Sequence, residues 1–573
     1  ALARWALARW ALGAACGLAL LGTAGCGDAP APPVAAVADE DAWTFVGDET
    51  CASCHGDYYD RYHRTGMGRS VSLFDAASAP ERFGPDGRSP LVCEPVSGYC
   101  YQAERRGDAL WQIETRPDDP AYRREYRVSH VVGSGNATRS YFMALAAPDA
   151  PGAPGYVTEM PLTWYVERGI WDLSPGYAQA NDRFERPISL ECMTCHNGTP
   201  AHEPSLNFFA DVPLGITCER CHGPASAHVE AFLADEQPAD PRIVNPARLP
   251  VALQLDVCQQ CHLTGETVFK PGHDPTTYRP GRPLSAHRAV FVTTESLEDP
   301  EAFGIASHAE RMMRSACFDP AAPRPMTCTT CHDPHTPTAE MPAGHFNAAC
   351  LGCHAGQTHP AAPGGLARST PAVRAVAQAG VGGGAPPRVA MSAAGDCVSC
   401  HMRKGGTSDI PHVTFTDHWI QRRPPPARGV SATGVSATGD AYRRRTPFTL
   451  VDVVRREAGQ AERGSAEADV EAAMAYFRLY DTRHRLPDYL PEIVRRLRRA
   501  LEAGPVRPEA HLVLGRALLE QGALAEAEAA LARAVAAAPA DPFAHYWLGA
   551  ARLRAGTAEA AIGPLREAVA RAP

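Results

Sequence analysis

One five-residue pattern, Cys-x-x-Cys-His, recurs seven times in this chain of 573 residues and constrains its fold more than any other feature. The first copy begins the stretch "CASCHGDYYDRYHRTGMGRS" at residues 51–70, and the gaps between successive copies vary widely. The seven copies use fourteen of the 19 cysteines. These are Cys51 and Cys54, Cys192 and Cys195, Cys218 and Cys221, Cys258 and Cys261, Cys328 and Cys331, Cys350 and Cys353, and Cys397 and Cys400.

The pattern is the attachment signature of c-type haem. Two thiols two residues apart form thioether links to the porphyrin, and the adjacent imidazole binds the iron as its proximal ligand. The alternative is zinc, but structural zinc sites need a second ligand pair at a fixed distance, which these variable gaps do not provide. We therefore predict seven covalent haems c. Their predicted proximal ligands are His55, His196, His222, His262, His332, His354 and His401.

Residues 1–26 have the pattern of a signal peptide, because Arg4 and Arg9 precede an apolar run that is too short to span a bilayer. The segment ends in "TAGC", which resembles a bacterial lipoprotein cleavage box except that Thr23 stands where leucine is usual. Two alternatives stay open, lipid modification of Cys26 and ordinary signal cleavage nearby. Both predict an exported protein, in the periplasm or lipid-anchored at the cell envelope of a bacterium.

The remaining cysteines and the overall composition narrow the class of protein. Cys93 and Cys100 in "CEPVSGYC" are predicted to close a small disulfide in an oxidising compartment, and Cys317 is predicted to be a small buried residue. The formal net charge is -9, with 21% charged residues and no long run of like charge. We therefore predict a globular protein that does not bind nucleic acid and that meets a membrane only through an N-terminal lipid anchor.

A change in amino-acid composition divides the chain into two parts. Residues 41–423 contain all seven motifs among many Pro, Gly and short segments. Within them we predict a β insertion at about 85–175, and after them a flexible linker at 424–460. The strand-like stretches of the insertion are 124–132, 139–145 and 156–166.

Beyond the linker, Ala, Leu, Glu and Arg recur at helical spacing through residues 461–573. A repeat of 34 residues aligns there without gaps, and its clearest copies are 508–541 and 542–573. This is the length of a tetratricopeptide repeat, and the Leu-Gly, Ala and Pro positions match that repeat. The matching positions are Leu514 and Leu548, Gly515 and Gly549, Ala527 and Ala561, and Pro539 and Pro573.

Residues 43–423 resemble the multihaem c-type cytochromes related to the tetrahaem cytochrome and hydroxylamine oxidoreductase of ammonia oxidisers, in the branch that carries C-terminal tetratricopeptide repeats. Besides the motifs, the likeness is carried by "LTWYVERGIWDLSPGY", "ITCERCHGPASAHV" and "IPHVTFTDHWI". It implies a periplasmic or surface electron carrier with closely packed haems. In the related tract "GNATRS", Ala137 stands where such proteins often have histidine, so no ligand is assigned there.

The patterns and the resemblance together predict a mostly α protein. A haem-packed multihaem cytochrome c domain with a small β insertion is followed by an α-helical tetratricopeptide repeat domain. The repeats are predicted to dock redox partner proteins.

Sixth ligands decide between electron transfer and catalysis, because a bis-His haem passes electrons whereas an open haem binds substrate. Of 22 histidines, seven are proximal and three lie in the repeats, which leaves twelve for seven irons. His335 follows His332 too closely to reach the far side of the same iron, so we expect it to ligate a neighbouring haem. For each candidate histidine the alternative is a surface or propionate-binding residue, and for Met67 the alternative is a core methionine. The candidate distal ligands are His63, His202, His228, His335, His412, His418 and Met67. His345 and His359 are secondary candidates.

These observations favour a noncatalytic electron-transfer protein. The alternative is a multihaem oxidoreductase acting on a small nitrogen or sulfur compound at one five-coordinate haem. No Cys-x-x-Cys-Lys motif, one marker of such a site, is present in the sequence. No catalytic residue is assigned.

Overall fold

The computed structural model describes residues 42–146, 155–203, 208–235, 238–294, 297, 304–355, 358–360, 388–390, 397–407, 409–422, 449–457, 465–481 and 486–571. The predicted signal segment, Cys26 and most of the predicted linker lie outside the described residues.

Thirteen short antiparallel strands occupy the described chain between the first and third motifs. Nine of them form one sheet, with the order β1-β6-β7-β8-β13-β12, β11 paired to β8, and the β9–β10 hairpin joined through β7. The other four form a second sheet in the order β2-β3-β4-β5. The strands are β1 (Val71–Ser72), β2 (Val92–Cys93), β3 (Cys100–Arg106), β4 (Ala109–Arg116), β5 (Asp119–Arg127), β6 (His130–Val132), β7 (Thr138–Ala146), β8 (Gly155–Glu159), β9 (Leu162–Tyr165), β10 (Ile170–Leu173), β11 (Arg186–Pro187), β12 (His202–Glu203) and β13 (Phe208–Phe209).

The core of this β region is built from aromatic and aliphatic side chains that point inward from both sheets. Tyr101, Leu110, Tyr141, Leu162 and Trp164 are buried together in one cluster. On the edge strand β5 the side chains are instead mostly exposed and many are charged, which protects an open sheet edge from pairing with another chain.

The β region is larger than the small insertion that the sequence predicts, because its strands extend from Val71 to Phe209. The expectation of a mostly α protein therefore holds only in part. The additional strands β1, β11, β12 and β13 are two residues long. Such strands form because a neighbouring strand is available for pairing, and they are too short to show a period-two pattern in the sequence.

Two cysteine predictions have opposite outcomes. Cys93 and Cys100 face each other on β2 and β3 and form the predicted disulfide. The prediction that Cys317 is buried is wrong: its side chain is exposed, since the chain turns there in a loop between short helical segments.

Short helices carry the motifs. The helices of this region are α1 (Asp48–Tyr62), α2 (Leu190–His196), α3 (Glu219–His222), α4 (Ser226–Ala234), α5 (Val251–Gln259), α6 (Leu284–His287), α7 (His308–Met313), α8 (His345–His354) and α9 (Cys397–His401). Three turns of 3-10 helix, Pro246–Arg248, Cys328–Thr330 and Thr338–Glu340, complete the helical segments described there.

Seven further strands flank or follow these helices. β14, β15 and β20 form a three-stranded sheet, while β16 pairs with β17 and β18 pairs with β19. Their bounds are β14 (Glu266–Phe269), β15 (Arg288–Thr293), β16 (Thr358–Pro360), β17 (Arg388–Ala390), β18 (Lys404–Gly406), β19 (Thr414–Thr416) and β20 (Leu450–Asp452).

The C-terminal part is entirely helical in its described residues. Its helices are α10 (Val453–Glu457), α11 (Ala466–Leu479), α12 (Tyr489–Ala503), α13 (Pro508–Glu520), α14 (Leu524–Ala537), α15 (Pro542–Arg554) and α16 (Ala558–Arg571). The two predicted repeats correspond to the hairpins α13–α14 and α15–α16, and the structure confirms them as helical pairs. Gly515 and Gly549 allow the two helices of each pair to approach closely, because a Cβ at either position would press into Leu531 or Leu565.

The hydrophobic core of the repeats continues beyond them. Val470 and Tyr476 on α11 are buried in the same cluster as Val268, Phe291 and Leu450 of the three-stranded sheet. Two polar contacts reinforce this joint: Lys270 forms an ion pair with the buried Glu471, and Arg507 Nη1 donates to Phe269 O at 2.6 Å.

No helix in the described part of the chain is long and apolar enough to cross a membrane.

Candidate functional site

Each motif lies on or next to a helical turn. In the first motif, Cys51 and Cys54 lie one helical turn apart on α1, and the helix kinks at His55, whose backbone leaves the helical region (φ -118°, ψ 36°). The fifth motif uses the 3-10 turn Cys328–Thr330 in place of an α-helix. None of the fourteen motif cysteines is fully buried, although an unpaired cysteine is usually among the most buried residues. Each motif thiol therefore keeps some exposure to solvent.

Thiols of different motifs lie side by side. Cys51 of the first motif and Cys218 of the third, together with Asp48, place their ligand atoms within 4.8 Å of one another. Three further pairs, in each of which one thiol raises the pKa of the other, join the second motif to the fourth, the fourth to the fifth and the sixth to the seventh. These pairs are Cys195 with Cys261, Cys258 with Cys328, and Cys350 with Cys397. The fold thus gathers motifs that are far apart in sequence.

Three motif histidines face a second histidine from another part of the chain. The ring centroids are 6.4 Å apart for His55 and His228, 6.0 Å for His222 and His335, and 6.1 Å for His332 and His418. Two imidazoles bound to opposite sides of one metal ion have centroids roughly 6 to 6.5 Å apart, given a metal–nitrogen distance of about 2.0 Å. The three pairs therefore have the spacing that a bis-histidine metal site requires.

The second histidine of each pair belongs to the chain segment of a different motif. His228 follows the third motif but faces the first, and His335 follows the fifth motif but faces the third. His418 follows the seventh motif and faces the fifth. The expectation that a histidine just after a motif serves a neighbouring site stays a prediction, and these three pairs are the observation that supports it.

Hydrogen bonds hold several of these imidazoles in one tautomer. Nδ1 of His222 lies 2.8 Å from Val244 O, and Nδ1 of His228 lies 2.6 Å from Pro241 O. Because a carbonyl oxygen only accepts, each Nδ1 carries the proton, and Nε2 keeps the lone pair that binds a metal. The same contact fixes His401 against Gln421 O at 2.9 Å and His418 against Thr416 O at 3.1 Å.

Burial disfavours the charged form of four of the paired histidines. It lowers the pKa of His418 to about 4, and it also lowers the pKa of His222, His332 and His335. A neutral imidazole is the form that coordinates a metal, so these shifts favour ligation at neutral pH.

His308 on α7 is a site residue that the sequence analysis did not identify. Its ring centroid lies 5.1 Å from that of His262 in the fourth motif and 4.5 Å from that of His418. Burial lowers the pKa of His308 to about 3, and its Nδ1 has no hydrogen-bond partner among the described residues. Nothing in "IASHAERMM" marks this histidine locally, because it is separated from every motif in sequence.

A buried ion pair ties His308 and His418 together. Arg311, one turn after His308, donates from Nε to Asp417 Oδ1 at 2.9 Å, and Asp417 directly precedes His418. Both side chains are 1% exposed. Removal of one partner from such a pair leaves an uncompensated buried charge, so the contact fixes α7 against β19.

Other candidate ligands make different contacts. His63 Nε2 lies 3.3 Å from Asp48 Oδ2, and His412 Nε2 lies 2.7 Å from Asp172 Oδ2. His202 on β12 is opposite Phe209, with ring centroids 6.5 Å apart. None of these three is paired with a motif histidine in the described part of the chain.

The remaining candidate ligands are Met67, His345 and His359. Met67 is half-buried, and its carbonyl accepts from Ser70 and Ile216 N–H groups. His345 Nε2 lies 3.0 Å from Cys331 O. The side chain of His359 lies outside the described residues.

Comparison with known proteins adds a family match for the C-terminal part. Residues 494–542 match the tetratricopeptide repeat model. No curated protein matches the chain.

Two solved structures illustrate the structural likenesses. The "Crystal Structure of Outer Cell Wall Cytochrome OcwA" is 17% identical over 92% of this chain and 99% of that chain, with a TM-score of 0.39. The "Crystal structure of MamA" is 21% identical over 21% of this chain and 66% of that chain, with a TM-score of 0.18. The segment 494–542 thus contains a tetratricopeptide repeat, as its 34-residue period predicts.

Proposed function

We propose that this protein is a multihaem c-type cytochrome that transfers electrons through seven covalently bound haems. The observation that carries the proposal is the set of three histidine pairs at 6.0–6.4 Å, each joining a motif histidine to a histidine from another motif's segment. A zinc site would instead gather four ligands at one point, and only one group of three potential ligands, Asp48, Cys51 and Cys218, comes together among the described residues.

The residues of this chain have distinct roles in the proposed function. The motif cysteines would hold the macrocycle through thioether links, and the motif histidine would bind the iron. The facing histidines would supply a second imidazole to the iron, and backbone carbonyls fix the ring orientation of two of them, His228 and His418. Haem supplies the one-electron chemistry when bound. Because the paired histidines come from neighbouring motifs, they hold successive sites close together, which favours fast electron transfer.

We also propose that the protein is exported and that its repeats dock redox partners. The disulfide between Cys93 and Cys100 supports an oxidising compartment, whether the protein is periplasmic or anchored through a lipid at Cys26. Tetratricopeptide repeats stack into extended surfaces that bind other proteins, which supports the docking role.

A pyridine haemochrome assay combined with intact-mass measurement tests the haem count. We expect seven covalent haems in the wild-type protein and six after replacing both Cys51 and Cys54 by Ala. The matched control is Cys317→Ala, which removes an exposed cysteine outside the motifs and retains all seven haems. A mass without haem additions, or with bound zinc, would contradict the proposal.

The alternative, an oxidoreductase for a small nitrogen or sulfur compound at one open haem, is favoured by one observation. No described histidine ring is paired with that of His196 in the second motif, unlike those of His55, His222 and His332. Electron paramagnetic resonance of the oxidised protein distinguishes the two functions. An entirely low-spin spectrum supports pure electron transfer, whereas a high-spin haem that responds to nitrite or hydroxylamine with turnover supports the enzyme.

A further inference from the structure

Two arginines converge where the second and fourth motifs meet. Arg220, between the two cysteines of the third motif, donates from Nη2 to Thr194 O of the second motif at 3.2 Å. Arg288, at the start of β15, donates from Nη2 to Gln259 O of the fourth motif at 3.3 Å. Cys261 Sγ lies 3.9 Å from the same Thr194 O, and the carbonyl of Gln260, which directly precedes Cys261, accepts from Arg288 Nη2 at 2.5 Å. The two guanidiniums therefore each contact a carbonyl that lies beside Cys261.

Neither cation has an acidic partner among the described residues. Arg220 is 5% exposed, and the Nε atoms of both arginines are buried without a hydrogen-bond partner. Asp256 is near enough to feel the charge of Arg288, but its Oδ2 accepts from Leu284 N–H at 2.9 Å and forms no ion pair with it. Elsewhere the chain pairs its buried arginines, as Arg311 is paired with Asp417.

Uncompensated buried charge is costly, and two like charges side by side increase that cost. A guanidinium offers parallel N–H groups that match a planar or tetrahedral oxyanion, and buried arginines bind such anions more strongly than exposed ones. The donors that remain on Arg220 and Arg288 include both Nε–H groups.

We propose that Arg220 and Arg288 together bind an anionic oxygen group, a carboxylate or a small oxyanion, between the second and fourth motifs. Two sources have this chemistry: a propionate of a haem, which rests on the proposed function, and a free oxyanion such as nitrite or sulfite, which does not. In the first case the arginines hold the haem edge and raise its potential. In the second they concentrate substrate beside His196.

The experiment compares wild type with Arg288→Gln, Arg220→Gln and Arg288→Lys. The matched control is Arg498→Gln, which removes one positive charge from an exposed ion pair with Glu526 in the repeats. Haem content is measured first by pyridine haemochrome assay, so that loss of haem is separated from a change at the arginines.

Potentiometric titration in anion-free buffer tests the propionate source. Removal of a nearby positive charge stabilises the oxidised haem, so the potential of one haem falls in both glutamine variants. It returns toward the wild-type value in Arg288→Lys and does not change in the control.

Thermal unfolding with added nitrite or sulfite tests the free-oxyanion source. Here we expect saturable stabilisation of the wild-type protein, because a ligand that binds the folded state raises its stability. The apparent affinity should fall about tenfold or more in Arg288→Gln, the loss of roughly one strong charged hydrogen bond. This measurement reports oxyanion binding at Arg220 and Arg288 even if the protein carries no haem.

The proposal is overturned if both glutamine variants retain wild-type potentials and neither oxyanion stabilises the wild-type protein. If Arg220→Gln fails to fold, Arg288→Gln and Arg288→Lys decide the outcome.

Discussion

His228 is the residue at which the proposed iron coordination is most directly tested. We expect His228→Ala to convert one haem from low spin to high spin, because it removes the imidazole that faces His55 at 6.4 Å. The covalent haem count should not change, since the thioether links of the first motif remain. Electron paramagnetic resonance and a pyridine haemochrome assay measure the two quantities.

The control for this substitution is His63→Ala. His63 lies close to the same motif but its Nε2 is directed at Asp48, so its loss should leave every haem low-spin. A high-spin signal from His63→Ala and none from His228→Ala would reverse the assignment of the ligand.

His287 predicts a pH dependence of stability that is independent of haem. Burial, with the charge of Arg288 adding to it, lowers the pKa of His287 to about 3 in the folded protein. In the unfolded chain the imidazole of His287 has a pKa near 6.5. As the pH falls from about 6.5 to about 3, the unfolded state therefore binds a proton that the folded state does not bind. Stability is therefore full above this window and decreases within it, by roughly 5 kcal/mol over its whole width.

The measurement for His287 is urea unfolding at a series of pH values. We expect His287→Gln to have a shallower loss of stability toward acid than the wild-type protein. The exposed neighbour His273, whose ring lies 4.9 Å from that of His287, is the control. An unchanged acid slope in His287→Gln would show that His287 does not contribute.

At the residue scale the sequence identifies the cysteines and histidine of each motif, but it identifies only some of the histidines that face them. The motif specifies its own cysteines and histidine because all of them lie within one helical turn. A distal ligand depends on which segments the fold brings together, so spacing alone includes His228, His335 and His418 but also His63, His202 and His412. His308 is absent from that prediction because no local pattern marks it.

At the scale of single elements, Gly515 sets the distance between the helices of the hairpin α13–α14. A Cβ at this position would lie 2.8 Å from Leu531 Cδ2, and Leu531 is completely buried. We expect Gly515→Ala to destabilise the repeats, because overpacking costs typically about 1–3 kcal/mol and outweighs the gain in helix propensity of about 1 kcal/mol. Thermal unfolding followed by circular dichroism measures the change.

Gly563 in α16 provides the matched control. It is also a glycine within a repeat helix, but nothing beyond its chain neighbours lies within 4 Å of its Cβ position. Because Gly563 directly precedes Pro564, whose ring disfavours helical backbone at the preceding residue, Gly563→Ala should change stability by less than about 1 kcal/mol. Equal effects of the two substitutions would contradict the packing explanation.

The two kinds of element differ in how well the sequence predicts them. The repeat helices have an apolar pattern with a 34-residue period, so both hairpins are predicted with nearly correct bounds. The strands β5 to β9 overlap the predicted strand-like stretches. The strands at the margins of the sheet are too short to carry a pattern, and they are specified by their partners in the fold.

At the scale of the whole molecule, the two parts share a core, although the sequence places a linker between them. The amino-acid composition changes at the linker, which is why the sequence predicts two separate parts. The contacts of Phe291 and Leu450 with α11 join residues that are distant in sequence, and no local pattern reveals such contacts.

This shared core predicts the result of cutting the chain. A specific protease site is inserted between residues 424 and 440 and then cleaved. We expect the two pieces to elute together in gel filtration under native conditions, because the apolar joint and the Lys270–Glu471 pair hold them. Phe291→Ala in the cut protein should weaken the joint. Separation of the wild-type pieces without denaturant would contradict the shared core.

The exchange of histidines between motif segments also bears on how the protein matures. On the proposed function, the exported chain delivers the first motif well before His228, the third motif before His335 and the fifth before His418. Each iron bound on both sides closes a long loop of chain, as a disulfide does. The early haems would therefore lack their second histidine until the later segments emerge. Completion of the last motif segment then completes the coordination of an earlier haem, so chain order sets the order of assembly.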